Sequence, residues 1–286
     1  MFDEAVVDPE SSAPLLPGLS VVMSAYNEAP VLEDCLRSVD GLADEVVVVD
    51  CTSQDGSGAV AAAMGARVLE APNRLMLNIN KNIAIGQARH RWTLLLDPDE
   101  RLSPELKAEI RGVVTADQAS ADAYTMPRLN HELGLAMRSM GHYPDRQLRL
   151  FRTGTAHFEC KHIHEWVVVT GTAGQLQSDL LHFPKPSLYD YVQKRNLYSD
   201  HRAAQMLVEG RRFRLHRLLS RPVWHFVKNF ALRGGWREGT AGFIVAVTGS
   251  FGTFLQDAKL WQLSRGLVPA PNLDGPCDAS GTNSDD

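Results

Sequence analysis

Two aspartates separated by one residue, Asp97 and Asp99, form the most informative pair in this sequence. They follow the apolar run at residues 92–96, which predicts a buried strand. Two carboxylates at this spacing can share a hard divalent cation, Mg²⁺ or Mn²⁺, and bridge it to the phosphates of a substrate. Such an ion acts as a Lewis acid on a departing diphosphate. Solvated acids that cap a helix produce the same pattern, so the motif gains weight only from its surroundings.

Polar residues also follow a second predicted strand, at residues 19–23. The ring of Tyr26 can stack on a nucleobase, and Ser24 can hydrogen-bond to the edge of that base. The alternative is a surface tyrosine in a strand-helix turn, with Asn27 or Glu28 helping to start the helix. Both interpretations are open on these residues alone.

A third strand is predicted at residues 45–49, and Asp50 directly follows it. Its carboxylate can accept hydrogen bonds from a base imide or a ribose hydroxyl. Ser53 and Asp55, in the same turn-rich stretch, are better explained as turn and helix-cap residues. Lys81, near the start of a predicted helix, can pair with a diphosphate as a point charge, although a solvated helix lysine explains it equally well.

These residues are positioned by regularly alternating elements. Strands are predicted over residues 19–23, 45–49, 66–70 and 92–96, and helices over residues 29–39, 59–64, 78–88 and 106–114. The alternation predicts an α/β fold with a mostly parallel sheet flanked by helices. Ligands bind such sheets at the carboxyl ends of the strands, which is where the polar clusters fall. Later in the chain we predict strands over residues 123–128, 146–152 and 165–170, and a helix over residues 187–207.

Composition limits the classes of protein that are possible. The 286 residues carry a formal net charge of −5, which argues against a nucleic-acid binder. The four cysteines show neither metal spacing nor a disulfide framework, which indicates a reducing compartment, and Cys35 and Cys51 are expected to be buried thiols. No signal peptide and no membrane span are evident, so a cytoplasmic protein is predicted. The predicted organisation is a disordered stretch at 1–17, an α/β domain at 18–185, a helical region at 186–268 and a disordered tail at 269–286.

The helical region is basic and amphipathic. Nine basic residues lie between Arg202 and Arg237, opposed only by Glu209 and Glu238. Apolar and aromatic residues among arginines suit a helix that lies on an anionic bilayer, here the inner face of the cytoplasmic membrane. Helices that pack locally or form a homodimer have the same pattern, so these alternatives stay open. The apolar stretch at 242–255 is broken by glycine and is too short to span a membrane.

Taken in order, these motifs resemble family 2 glycosyltransferases, which have a GT-A (Rossmann-like) fold. The resemblance rests on residues 19–28, 45–56, 78–88 and 92–101. The second half resembles the subgroup of lipopolysaccharide core β-1,4-glucosyltransferases, at residues 141–145, 149–152, 164–165, 230–254 and 259–261. The resemblance implies an inverting transfer of a hexose such as glucose. The donor would be a nucleotide diphosphate sugar, with a UDP-sugar favoured, and the acceptor a hydroxyl of a glycolipid or oligosaccharide.

The resemblance also implies roles for individual residues. Asp97 and Asp99 match the metal and diphosphate motif, and the nucleotide-sugar positions are Ser24, Tyr26, Glu28, Asp50, Lys81 and Asp97. Cys51 departs from the family pattern, because many members have a second acid there. This departure weakens the assignment of the base as uracil.

On the acceptor side, the resemblance makes Glu165 the general base that removes the proton of the acceptor hydroxyl. His164 could orient Glu165, bind the acceptor or help to hold the metal, and Asp145 is the second candidate base. Arg149 is a candidate contact for an anionic acceptor, although a solvated strand arginine explains it equally well.

Three rival interpretations remain at this stage. A zinc site could be built from His157, His162 and His164, but the spacing lacks a helical pair of histidines with a glutamate between them. A nucleotidyltransferase would need a glycine-rich basic loop after the first strand, and residues 24–30 contain none. A non-catalytic sugar-binding or membrane-binding scaffold would have no need to keep the three acids Asp97, Asp99 and Glu165.

Overall fold

The computed structural model describes residues 14–74, 76–116, 119–160 and 165–269. The chain forms two compact units, one from residues 1–126 and 147–178 and the other from residues 127–146 and 179–286. The chain therefore passes from one unit to the other three times. The domain boundary at residue 185 stays a prediction.

The elements are numbered in chain order. The strands are β1 (Leu16–Ala25), β2 (Glu45–Asp50), β3 (Arg67–Glu70), β4 (His90–Leu95), β5 (Glu100–Leu102), β6 (Ala123–Glu132), β7 (Leu135–Ala136), β8 (Asp145–Arg152), β9 (Ala156–His157), β10 (Val168–Val169), β11 (Ala173–Gln175) and β12 (Leu180–His182). The helices are α1 (Ala29–Val39), α2 (Ser57–Ala63), α3 (Leu77–Gly86), α4 (Pro104–Thr115), α5 (Leu188–Val208), α6 (Leu215–Phe226) and α7 (Gly239–Ser264).

The first unit is built on parallel strands in the order β3-β2-β1-β4. Leu19, Val21, Val22 and Met23 of β1 are fully buried, as expected for a strand that is covered on both faces. β8 lies on the other side of β4 and runs antiparallel to it, with Phe151 opposite Thr93. This mostly parallel sheet with helices between its strands confirms the predicted α/β class.

All four helices predicted in the first unit are present. α4 begins as its sequence indicates, with Pro104 in the first turn and the Ser103 Oγ accepting a hydrogen bond from Leu106 N at 3.1 Å. Cys35 of α1 is buried in the core together with Leu32 and Leu36, and Cys51 is buried as well, as predicted.

The strand predicted over residues 165–170 is wrong in its extent. Only Val168 and Val169 pair, with His157 and Ala156 of β9, in a two-stranded antiparallel ladder. The ladder ends at Val169, two residues before Gly171, whose φ of 115° is a conformation that glycine adopts at little steric cost.

The second unit is mainly helical. The last residues of β6 pair with β7 and β12. Ser187 caps the start of α5, and its Oγ accepts a hydrogen bond from Tyr189 N at 3.1 Å. α6 continues into a π-helical segment at Val227–Leu232, and a short 3-10 helix at Gly235–Glu238 precedes α7. α7 packs against both α5 and α6.

The apolar stretch at residues 242–255 is not broken by its glycines, contrary to the prediction. It lies inside α7, which is one continuous helix of 26 residues. Two of the glycines permit close packing: a Cβ at Gly242 would lie 2.0 Å from Gly235 O, and one at Gly249 would lie 2.9 Å from His225 Cε1. No helix in the described ranges is long and apolar enough to cross a membrane.

Candidate active site

Strand ends that carry polar loops adjoin in the first unit. Asp50, the last residue of β2, lies beside Ala25 of β1, and β4 pairs with the other side of β1. Tyr26, Asp50 and Asp97 therefore leave the sheet at the same edge, which is the carboxyl edge of its parallel strands.

The loops after β1 and β2 are joined by hydrogen bonds. Asn27 N donates to Ser53 Oγ at 3.0 Å, and Asn27 Oδ1 accepts from Gln54 N at 2.8 Å. Ala29 N, at the start of α1, donates to Asp55 Oδ2 at 3.0 Å. Ser53 and Asp55 thus act as turn and cap residues, which is the interpretation that the sequence favoured.

Burial raises the pKa of Asp55, but hydrogen bonds from Ser57 and from Ala29 N outweigh burial and hold that pKa below its ordinary value. Glu28 does not cap α1 with its side chain; instead its backbone N–H donates to Ser57 Oγ at 2.9 Å. The two loops therefore form one rigid edge of the crevice.

Asp50 and Tyr26 lie at the centre of this edge. The Asp50 side chain is largely buried, and its Oδ1 accepts a hydrogen bond from Ser53 N at 3.1 Å. Tyr26 is half-buried and packs against the core of the sheet. Asn27 and Thr52 have positive φ values of 54° and 58°, which cost free energy in residues other than glycine and are concentrated at functional sites.

Asp97 lies between two cationic side chains. The Lys81 ammonium contacts its Oδ1, and Arg149 Nη2 donates to its Oδ2 at 2.5 Å. The same Arg149 nitrogen donates to Glu100 Oε1 at 2.7 Å, and Glu100 Oε2 accepts from Asp97 N at 3.0 Å. These four residues form a charge-balanced group at the end of β4, called here the Asp97 cluster.

Arg149 is not placed for the predicted contact with an acceptor. Its residue is only 4% exposed, and its guanidinium bonds to Asp97 and Glu100. Burial alone would lower its pKa, but the two carboxylates outweigh burial and raise it, so the side chain stays charged. The sequence missed this role because nothing local in β8 indicates which carboxylates a strand arginine will meet.

Asp99 is half-buried in the tight turn between β4 and β5. Beneath this turn, burial raises the pKa of the Cys35 thiol well above its usual value, and the charges of Glu100, Asp99 and Asp97 raise it further. In the described part of the chain, no cluster of three or more His, Cys, Asp or Glu side chains is arranged to hold a metal ion.

α3 connects the Asp97 cluster to the segment after β9. The Lys81 Nζ lies 5.9 Å from the centroid of the Phe158 ring. The next residue, Asn82, donates its Nδ2 to Phe158 O at 2.8 Å and accepts from Phe158 N at 2.9 Å. Asn82 therefore fixes the backbone of this segment beside Lys81.

Glu165 lies on the same side of the unit. It is half-buried, and its charge adds to burial in raising the pKa of the Cys160 thiol. Asn82 Nδ2 reaches the same Cys160 Sγ at 3.4 Å. His164 lies outside the described residues.

Residues 20–172 match the family model described as Glycosyl transferase family 2. This chain belongs to glycosyl transferase family 2. The glycosyltransferase resembles the lipopolysaccharide core biosynthesis glycosyltransferase LpsC of Rhizobium meliloti (strain 1021), with 31% identity over 268 residues. The match covers 91% of this chain and 97% of the relative. It is 28% identical to the uncharacterized glycosyltransferase RT0209 of Rickettsia typhi, over 91% of this chain and 93% of that one.

Among solved structures, the S. aureus TarS 1-349 crystal structure matches 87% of this chain and 92% of its own, with 15% identity and a TM-score of 0.44. The family match confirms the predicted family and enzyme class. It therefore removes the nucleotidyltransferase and scaffold alternatives.

Asp145, the second candidate base, belongs to the second unit of the glycosyltransferase. Its Oδ2 accepts two hydrogen bonds from Arg128, at 3.0 Å from Nε and 2.6 Å from Nη2, and a third from Asn130 Nδ2 at 3.3 Å. Releasing this oxygen for a proton would require these bonds to break. Of the three histidines proposed for zinc, His157 in β9 pairs with Val168 of β10, and His162 and His164 lie outside the described residues.

Proposed function

We propose that this glycosyltransferase moves a hexose from a UDP-type donor to a hydroxyl of a glycolipid or oligosaccharide, with inversion at the anomeric carbon. The observation that carries the proposal is the Asp97 cluster at the carboxyl edge of the sheet, where β1 and β2 also end. A relative named for lipopolysaccharide core biosynthesis supports the class of acceptor.

The nucleotide is assigned to the rigid edge formed by the loops after β1 and β2. Tyr26 offers a ring face for the base, and Asp50 keeps a carboxylate at the crevice while its Oδ1 holds the turn at Ser53 N. Preformed loops reduce the entropy lost when a ligand binds. Ser24, near the end of β1, and Glu28, just before α1, lie two residues to either side of Tyr26.

The donor set suits a divalent ion that is shared with the substrate. Mg²⁺ and Mn²⁺ are held by one or two carboxylates, with water and substrate phosphate completing the shell. Asp97 and Asp99 would hold the ion, and both Asp97 oxygens also contact Lys81 and Arg149. When bound, the ion would neutralise the charge of the departing diphosphate.

Glu165 is the general base in this proposal. The acceptor oxygen attacks the anomeric carbon while the bond from that carbon to the diphosphate breaks on the opposite face. The hydroxyl proton passes to the Glu165 carboxylate. Glu165 is favoured over Asp145 because it shares a unit with Lys81 and Asp97, whereas the Asp145 Oδ2 is held by Arg128.

A thermal-shift screen tests the donor assignment. UDP-glucose and other nucleotide sugars are titrated with and without Mn²⁺ or Mg²⁺ against the wild type and the Asp99→Asn variant. The true donor stabilises the fold by mass action, about 2.7 kcal/mol at one hundred times Kd, and should do so only with the metal. If no nucleotide sugar stabilises the wild type in either metal, or if Asp99→Asn responds like the wild type, the assignment is wrong.

We also propose that the second unit docks on an anionic membrane surface. Leu215, Leu219 and Val223 form a stripe along α6 and are 63%, 63% and 65% exposed. The Phe226 ring lies 5.9 Å from that of Phe243, which joins this stripe to a second one on α7. The combined surface, called here the apolar face, consists of Leu215, Leu219, Val223, Phe243, Val247, Phe251 and Phe254.

Charge favours a bilayer over a second copy of the chain. Arg212 and Arg214 are exposed immediately before α6, at the end where Leu215 begins the apolar face. A twofold dimer through this face would bring the same patch of each copy together, and with it like charges. Anionic lipid headgroups would instead be attracted, with roughly 1 kcal/mol for each basic residue near the surface.

A further inference from the structure

The second unit contains a small polar cavity to which the proposed function gives no role. Its volume is about 220 Å³, and its walls come from α5, α6, the π-helical segment, α7 and the loop before β8. Pockets for drug-sized ligands are larger, about 300–1,000 Å³, so this cavity suits a single small group. Its polar lining consists of His142, Arg195, His225, Asn229 and Arg233.

Among the described residues, the two arginines of this cavity have no acidic partner. Arg195 donates Nη2 to Tyr191 Oη at 2.8 Å and lies over the Tyr191 ring at 5.0 Å. Neither Arg195 nor Arg233 forms an ion pair in the part of the chain that the structure describes. Arg195 is partly buried, whereas Arg233 is exposed. A partly buried cation without a counter-charge is costly, so an anion beside Arg195 would be favoured electrostatically.

The pKa of His225, which lies beside these arginines, is lowered, as expected in a cationic cavity. Burial lowers the pKa of His225, and the charges of Arg195, Lys228, Arg221 and Arg233 lower it further, in that order. Arg221 is itself paired with Asp257 at 2.7 Å, which offsets part of this positive charge. At the other end, His142 Nδ1 lies 3.6 Å from Glu132 Oε1, so the positive potential is concentrated around His225.

We propose that this cavity binds the phosphate group of an anionic ligand, with Arg195 and Arg233 as its guanidinium clamps. A guanidinium group can donate two parallel hydrogen bonds to two oxygens of one phosphate, which a lysine ammonium cannot do. A phosphate monoester carries about −1.5 to −2 charges near neutral pH, which balances two arginines. A carboxylate would balance only one of them.

The test follows the His225 ring signals by NMR while phosphate compounds are added in the absence of any nucleotide sugar. Three probes are used: inorganic phosphate, a hexose phosphate and a short-chain phosphatidate. Saturable shifts of the His225 signals are expected with at least one probe. Arg233→Gln and Arg195→Gln should weaken binding at least about tenfold, since each removes a charge-assisted contact. Arg195→Lys keeps the charge and should weaken binding less than Arg195→Gln.

Arg217→Gln is the matched control, because Arg217 is an exposed arginine of α6 outside the cavity lining. It should bind like the wild type. Tighter binding of the hexose phosphate would identify a sugar phosphate as the source of the group, and tighter binding of the phosphatidate a lipid headgroup. If none of the probes produces a saturable shift at roughly 10 mM, or if a folded Arg233→Gln binds like the wild type, the proposal is wrong.

Since the assay contains no donor, its outcome does not depend on sugar transfer. A glycosyltransferase that is fully active but lacks the His225 response would disprove the phosphate site alone. An inactive one that keeps the response would leave the phosphate site supported and the proposed function in doubt.

Discussion

Asp97 shares its two carboxylate oxygens between Lys81 and Arg149, and this arrangement gives the two cations different roles. Arg149 is buried and also holds Glu100, so it fixes the turn from below. Lys81 is partly exposed, with 17% of its side-chain surface accessible, and comes from a helix rather than from the sheet. We therefore expect Arg149 to determine the stability of the site and Lys81 to respond to the ligand.

Replacing Arg149 with methionine tests the first of these roles. The change leaves Asp97 and Glu100 without their shared cation in a buried site, which typically costs about 3–5 kcal/mol. Urea unfolding monitored by circular dichroism measures the loss. Arg37→Met is the control, because Arg37 pairs with Glu33 on the surface, where such a pair contributes at most about 1 kcal/mol. Equal effects of the two changes would contradict the structural role of Arg149.

The choice of base makes a separate prediction. Glu165→Gln should lower kcat by about 10²–10⁴, because no carboxylate remains to accept the proton of the acceptor hydroxyl. Donor binding, measured by thermal shift, should be unchanged. Asp145→Asn should lower kcat much less, since its Oδ2 accepts hydrogen bonds from Arg128 and Asn130 rather than protons. The opposite order of effects would make Asp145 the base.

At the scale of elements, α7 is organised around close contacts at its glycines. Glycine lowers the intrinsic stability of a helix interior by roughly 1 kcal/mol relative to alanine. Gly242 and Gly249 offset this cost by letting Gly235 O and the His225 ring approach the helix. Gly252 has more room, because a Cβ added there would lie 3.9 Å from its nearest neighbour, Arg195 Cδ.

Two glycine-to-alanine changes on α7 should therefore have opposite signs. Gly242→Ala places a methyl group against a backbone oxygen and should destabilise the protein by about 1–3 kcal/mol. Gly252→Ala fits the available space and should stabilise it by about 0.4–1 kcal/mol. Thermal unfolding of both variants measures the difference. Stabilisation by Gly242→Ala would mean that α7 does not pack against the 3-10 helix as described.

The sequence predicted elements well where the signal was local. β1 to α4 alternate in regular apolar periods, and Ser103 and Pro104 mark a helix start without any tertiary information. The antiparallel pairing of β8 with β4 could not be predicted from the sequence, because it joins residues more than fifty positions apart. The role of Arg149 followed from that pairing, so it was missed as well.

Site prediction was limited in the same way. Asp97, Asp99 and Asp50 could be proposed as site residues because each follows a recognisable strand, and Lys81 because it lies near the start of a predicted helix. Asn82, which ties α3 to Phe158, had no signal beyond its position next to Lys81. A helix asparagine is recognised as an anchor only when the backbone that it binds is known.

At the scale of the whole molecule, an acidic chain carries a basic, apolar surface on one of its two units. The apolar face should bind vesicles containing anionic lipids and release them as salt is raised, because screening weakens the attraction to the arginines. A Leu219→Ser and Val223→Ser double variant should bind at least about tenfold more weakly, since each buried aliphatic side chain contributes roughly 1.5–3 kcal/mol. Vesicle co-sedimentation at low and high salt measures this.

Leu135→Ser is the control for that experiment, because Leu135 is an exposed leucine of β7, outside the apolar face. It should bind vesicles like the wild type. If the double variant instead changes a dimer into a monomer in analytical ultracentrifugation and leaves vesicle binding intact, the face is an interface between copies.

The three passages of the chain between the two units have a practical consequence. A stop codon after residue 126 would remove β8, and one after residue 178 would keep residues 127–146 without the helices of their own unit. Neither unit can thus be obtained as a simple truncation. A single proteolytic nick would also fail to separate them, and both fragments should co-purify until a denaturant is added.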